Sequence, residues 1–143
     1  MSSQLAYNIE AFNPEYHTPL LAAAAADGVD VSPVVGGADR FIGFGKTKHG
    51  YGPGCILDLV STPYVVEPHV TWFPWVGLKD RIVHFKWAMD YLAKDKEVFI
   101  TVTKEQKVFF DHYVEKKILR KVGYLKDLPI VEEIHMYQYE RKK

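Results

Sequence analysis

The chain has 143 residues with 18 basic and 18 acidic side chains, so its formal net charge is zero. Its length suits one domain over 1–143, and 48% apolar with 25% charged residues is globular composition. One cysteine excludes an internal disulfide framework and a multi-cysteine zinc site, so no metal is expected.

The zero balance argues against a general phosphate-backbone binder, so no specific nucleic acid is expected. No apolar run approaches the roughly 20 residues that span a bilayer, so no membrane partner is expected. The opening MSSQLAYNIE lacks the basic n-region of a signal peptide. The charge is uneven. Residues 1–36 carry four acids and no Lys or Arg (−4), 37–103 carry eight basic and seven acidic groups (+1), and 104–143 carry ten and seven (+3). Either the surface is polarised and docks on a partner, or these are solvated helix faces.

The alanine run Ala22–Ala26 predicts a helix over Pro19–Asp27. Thr18 would be its N-cap, Pro19 its first residue and Gly28 its stop. Residues 29–39 read as a loop. Arg40–Lys46 reads as a strand, Lys46–Gly54 as a long hairpin loop and Cys55–Val60 as the returning strand. Tyr64–Trp75 is extended, with Pro68 and Pro74 suggesting a bulge or an edge. Leu78–Lys94 is an amphipathic helix with Ile82, Phe85, Met89 and Leu92 on one stripe. Lys96–Thr103 is a strand with Val98, Ile100 and Val102 on one face. Lys104–Val122 reads as a second long helix stopped by Gly123, and Ile134–Glu140 as the last strand. A strand–helix–strand unit implies a parallel crossover and the hairpin an antiparallel part, so the class is α+β or α/β with a mixed sheet and flanking helices.

Four groups of residues could carry chemistry. The run Gly50-Tyr51-Gly52-Pro53-Gly54 could cradle a phosphate, but it leads into a strand and reads better as a hairpin loop with positive φ angles. Lys46, Lys48 and His49 would give that loop a positive tip. Glu67 and His69 lie two apart on an extended segment and so share a face; with Asp58 and His84 they form a paired site or one solvated strand face. Cys55 opens an apolar strand and behaves as a small hydrophobe. Trp72-Phe73-Pro74-Trp75 ends a strand just before a helix, with Arg81 nearby. That is a possible anion seat at free helix amides, or an aromatic wedge between sheet and helix. His17, His112 and His135 are scattered and read as surface or cap residues.

Extended strand, turn, amphipathic helix, parallel strand, a helix ending in Val-Gly-Tyr and a final strand together resemble the GNAT N-acyltransferase fold. Lys117–Tyr124 (KILRKVGY) resembles that superfamily's helix-to-Gly-aromatic ending. His69–Trp75 (HVTWFPW), Arg81 and Ile118–Gly123 (ILRKVG) resemble small phage proteins with a degenerate acetyltransferase-like domain. These include the internal virion protein A group of short-tailed phages, whose opening Asn13–His17 also resembles. The resemblance implies an acetyl-CoA site at Trp75, Val76, Gly77, Lys79 and Arg81, but with one glycine and with Asp80 opposing phosphate. It implies a base at Glu67 or His69. The usual acid position falls on Leu119, which cannot donate a proton, and leaves Tyr113 as a substitute. The first expectation is therefore a pseudoenzyme in virion assembly, in the host cytoplasm or the virion, acting through protein partners. The alternative is a working acetyl-CoA-dependent N-acetyltransferase acting on a protein or small amine.

Overall fold

The computed structural model describes residues 7–31, 39–126 and 133–140. Along the chain the elements are β1 (Asn8–Ala11), α1 (Pro14–Ala26), β2 (Asp39–Thr47), β3 (Gly50–Ser61) and β4 (Val65–Trp72). Then come α2 (Leu78–Leu92), β5 (Glu97–Thr103), α3 (Lys104–Glu115), β6 (Arg120–Lys126) and β7 (Glu133–Tyr139). The strands are hydrogen-bonded in the order β1-β2-β3-β4-β5-β7-β6, a mixed sheet with three helices. The expected α+β class is observed.

The chain forms two compact units, one of Met1–Val60 with His69–Ala88 and one of Ser61–Pro68 with Met89–Lys143. The core of the first unit joins Ala24 of α1, Ile42 of β2, Ile56 of β3 and Phe73, with Phe12, Leu20, Phe44 and Trp75 packed around them. Burial of such side chains is worth about 1.5–3 kcal/mol each. Among the five alanines of α1 only Ala24 is buried; the other four face outward.

The first helix starts earlier than its sequence suggested. Two prolines, Pro14 and Pro19, each offered a first-turn position, and the expectation fell on the wrong one. Asn13 is the true N-cap, its side chain accepting from the Glu15 amide at 3.0 Å. Pro19 lies inside the helix. The strand β1 before it was not anticipated; it pairs antiparallel with β2 from Asn8↔Phe44 to Ala11↔Phe41. Of the expected loop at 29–39, residues 32–38 lie outside the described residues and Asp39 already belongs to β2.

The β2–β3 hairpin is real, but its loop is short. The register runs to Thr47↔Gly50, which leaves Lys48 and His49 as the turn. The Thr47 hydroxyl donates to the Gly50 carbonyl at 2.8 Å and accepts from the His49 amide at 3.1 Å. Gly50 carries the positive φ of 95° that the turn needs. Gly52 and Gly54 are strand residues, so the glycine run neither forms the loop nor leads into a helix.

In the second unit, β4 pairs parallel with β5 through Val65↔Glu97 and Val66↔Val98. Pro68, buried two residues later, has no amide to offer a neighbouring strand. Val98, Ile100 and Val102, expected on one face of β5, are buried. The long helix expected over Lys104–Val122 ends at Glu115 instead. Lys117 turns into the left-handed region at φ 61°, and the Ile118 amide donates back to the Tyr113 carbonyl at 2.8 Å. Ile118 and Leu119 then anchor the turn in the core. Residues Arg120–Lys126 form β6, antiparallel to β7. Gly123 is no helix stop: the Met136 side chain occupies the space its Cβ would need, at 2.3 Å. Strand pairing has overridden the helical reading of Lys-Val-Gly-Tyr.

Candidate active site

The segment from β4 into α2 carries most of the expected site. Phe73 is fully buried, and its ring stacks on Trp75 with centroids 4.8 Å apart and planes 5° from parallel. The Trp75 indole donates to the Pro53 carbonyl at 2.6 Å. The Phe73 amide donates to the Gly54 carbonyl at 3.0 Å. This aromatic wedge packs with Ala24 of α1, Ile42 and Ile56, and it fixes the point at which the chain leaves β4.

The wedge also leaves a helix start behind it. The Val76 amide donates to the Phe73 carbonyl at 3.2 Å and Val76 is buried. The Arg81 amide is the first to close onto α2, donating to the Gly77 carbonyl at 2.9 Å. The amides of Leu78, Lys79 and Asp80 precede it, the donors that a helix start leaves outside its own ladder. Gly77 itself is exposed, and a Cβ there would meet nothing within 4 Å. Arg81 is held in place: its Nε donates to the Val76 carbonyl at 2.9 Å, and its guanidinium carbon lies 5.8 Å from the centre of the Trp72 ring. Trp75, Val76, Gly77, Lys79 and Arg81 are thus one continuous turn. These amides, with Lys79 and Arg81 on the first turn of α2, are complementary to a negatively charged group. Asp80 is the member that opposes it.

Glu67 and His69 sit on β4, both half-buried. Glu67 Oε1 accepts from the Thr101 hydroxyl of β5 at 2.7 Å. Tyr113 stands on α3, buried within an aromatic cluster with Phe109 and Phe110 at centroid distances of 5.3 and 5.6 Å. The two other members of the group around Glu67 have structural partners. Asp58 is 1% exposed and takes two bonds from Arg40, at 2.8 and 3.3 Å. His84 is buried and its Nε2 lies 2.9 Å from the Lys46 carbonyl, so that nitrogen carries the proton. Burial holds the His84 pKa below its usual value, against the Lys46 carbonyl and Asp80, which raise it. Cys55 is buried, and burial pushes its thiol up to about 12. It is a packing residue, as expected. Among the described residues no group of three His, Cys, Asp or Glu side chains could hold a metal ion.

Two of the histidines expected as surface or cap residues are buried. His135 is 2% exposed, with Nε2 at 2.9 Å from Glu133. His17 is 5% exposed; its Nδ1 accepts from the Asn13 amide at 2.8 Å. It does act at a cap, but from inside. His112 is exposed, as expected. His84 and His17 carried little signal in sequence. The available clue for His84 was a pair of glycines within strands, which marks a close neighbour.

No family model matches the chain. No curated protein matches it either. Solved structures do. A variant of spermidine N-acetyltransferase SpeG from Vibrio cholerae superposes with a TM-score of 0.67 at 10% identity, over 94% of this chain and 93% of that one. SpeG from the same organism in complex with manganese ions gives 0.65 at 11%, over 96% and 94%. The ribosomal-protein-S18-alanine N-acetyltransferase from Escherichia coli gives 0.61 at 12%, over 93% and 92%. The fold is therefore GNAT-like over nearly the whole chain.

Proposed function

We propose that the chain is an acyl-CoA-dependent N-acetyltransferase whose acceptor is an amine of a protein or a small molecule. The observation that carries this reading is the open helix start at Gly77–Asp80, placed directly after β4 in a fold shared with N-acetyltransferases. The amides of Leu78, Lys79 and Asp80 would hold anionic groups of acetyl-CoA, with Lys79 and Arg81 beside them. That cofactor, when bound, supplies an acyl group activated as a thioester.

The chain's own residues have two tasks. An amine attacks only when neutral, so a base must take its proton; Glu67 and His69 are the candidates on β4. A backbone amide near the end of β4 would hold the oxygen on which charge develops; the Val76 amide is already given to the Phe73 carbonyl. The aromatic wedge keeps both fixed. Tyr113, buried among Phe109 and Phe110, has no part in this scheme, and the departing thiolate takes its proton from solvent. Cys55 takes no part, because a thiol pushed up to about 12 is not a nucleophile at neutral pH. Transfer is then direct, with no acyl-cysteine.

The virion-assembly reading keeps the sequence resemblance as its support, and the Arg120–Gly123 part of that resemblance lies on a strand rather than a helix. The fold comparisons favour the transferase.

Thermal shift with acetyl-CoA, then thiol release with an amine panel, tests the proposal. A ligand at 100 times its Kd raises stability by about 2.7 kcal/mol. Glu67→Gln or His69→Ala should lower kcat with cofactor binding unchanged. No shift at millimolar acetyl-CoA overturns the reading.

A further inference from the structure

A cavity of about 460 Å³ lies in the second unit, where the chain passes from α3 into β6. Its apolar lining is Val114, Ile118 and Leu119, the last two buried. Its charged lining is Lys117, Arg120, Lys121 and Glu140. Every lining residue belongs to the second unit, whereas the Trp75–Arg81 turn belongs to the first.

The charges of this lining do not cancel. Glu140 Oε1 lies 3.0 Å from Arg120 Nη2, and the same nitrogen donates to the Gln138 side chain. Lys117 and Lys121 form no ion pair among the described residues. The Lys121 ammonium lies 5.6 Å from the centre of the Tyr124 ring instead. Residues 116–126 carry five basic side chains and no acidic one, so the surrounding field also favours an anion.

Lys117 is strained as well. Its φ of 61° lies in the left-handed region, where glycine would avoid the steric cost of a Cβ. A cation thus stands at the cavity where the backbone alone would favour glycine, and strain of this kind gathers at binding sites.

The backbone narrows the kind of anion. The amides of Lys116, Lys117, Ile118 and Leu119 donate to the carbonyls of His112, Val114, Tyr113 and again Tyr113, at 3.0, 2.9, 2.8 and 3.2 Å. These amides therefore form no open nest for a phosphate, and the Arg120 guanidinium is engaged. What remains is a pair of ammonium groups beside buried aliphatic side chains.

We propose that this cavity binds a carboxylate carried on a short apolar chain. Lys117 and Lys121 take the charge, and Ile118 and Leu119 take the chain. The inference does not depend on the transferase reading.

The probe is sodium hexanoate, with hexan-1-ol as the uncharged control and sodium sulfate as the anion without a chain, all at one ionic strength. Amide chemical shifts of Ile118, Leu119 and Gln138 in the whole chain are the readout. Saturable shifts with hexanoate alone are expected. Lys117→Gly removes the charge and relieves the backbone, so hexanoate should bind about three- to fivefold more weakly to a protein that is no less stable. Lys121→Gln, which leaves the turn untouched, should weaken binding by a similar factor and decides the matter if the glycine variant misfolds. Lys126→Ala, outside the cavity lining, should leave binding unchanged. An equal response to hexanol or to sulfate, unchanged affinity in both lining variants, or an equal loss in Lys126→Ala overturns the proposal.

Discussion

The His84 imidazole fills the space that a side chain at Gly54 would need, its Cε1 lying 2.6 Å from the Cβ position there. The same ring atom lies 2.3 Å from the Cβ position of Gly45 on the facing strand. A helix residue thus packs over two neighbouring strands whose glycines make room for it. Gly45→Ala and Gly54→Ala should each destabilise by about 1–3 kcal/mol, the usual cost of overpacking. Gly52→Ala, with nothing within 4 Å of its Cβ position, should stay within about 0.5 kcal/mol. Urea unfolding of the three variants measures the contrast. Equal effects would show that this packing is loose.

The same histidine predicts a pH dependence. Its folded pKa lies below the ordinary 6.5, chiefly through burial. As pH falls through the ordinary value, the unfolded chain takes up a proton and the folded chain does not. Stability is therefore full above that value, falls between it and the folded pKa, and flattens below. Urea midpoints at about pH 8 and about pH 5 should differ, and His84→Gln should reduce the difference. A variant as pH-sensitive as the parent would assign the effect elsewhere.

Arg40 and Asp58 face each other across β2 and β3 in direct register, with side chains 13% and 2% exposed. Asp58→Ala leaves a guanidinium in the core and should cost about 3–5 kcal/mol. Replacing both, as Arg40→Met with Asp58→Leu, should restore most of that stability, because the pair's own desolvation penalty goes with it. A double variant as unstable as the single one would mean that the bond from Arg40 to the Val31 carbonyl matters more.

Lys117 is the one non-glycine with positive φ among the described residues. That conformation costs an L-residue roughly 1–2 kcal/mol, and glycine avoids it. Lys117→Gly should raise stability by about 0.5–1 kcal/mol in thermal unfolding, while Lys117→Ala should give no gain.

Much of the framework was legible in sequence. The strand of Val98, Ile100 and Val102 and the helix from Leu78 had clean periods, and the structure keeps both. The turn from Trp72 to Arg81 was legible because aromatics, a proline and a helix start fall together. Errors arose where two signals competed. Pro14 and Pro19 both suited a first turn, and only the side-chain bond from Asn13 decides between them. Lys117–Tyr124 had helical spacing, but its pairing with β7 is a long-range term that no local window contains. The Glu10–His17 pair, seven residues apart and spanning a strand and a helix, has no periodicity to reveal it.

The Lys48-His49 turn also bears on how the fold is reached. It joins two strands over the shortest common hairpin loop, so their contacts are almost wholly local. Little loop-closure entropy stands between the extended chain and this hairpin. The β4–β5 pairing, with Val66 and Val98 separated by a whole helix, is slow by the same reasoning. Folding should then begin at the glycine-bearing strands and finish around β5, whose pairing with β7 joins Val98 to Tyr139 over a still longer stretch, which leaves the β5 edges open longest to aggregation during refolding.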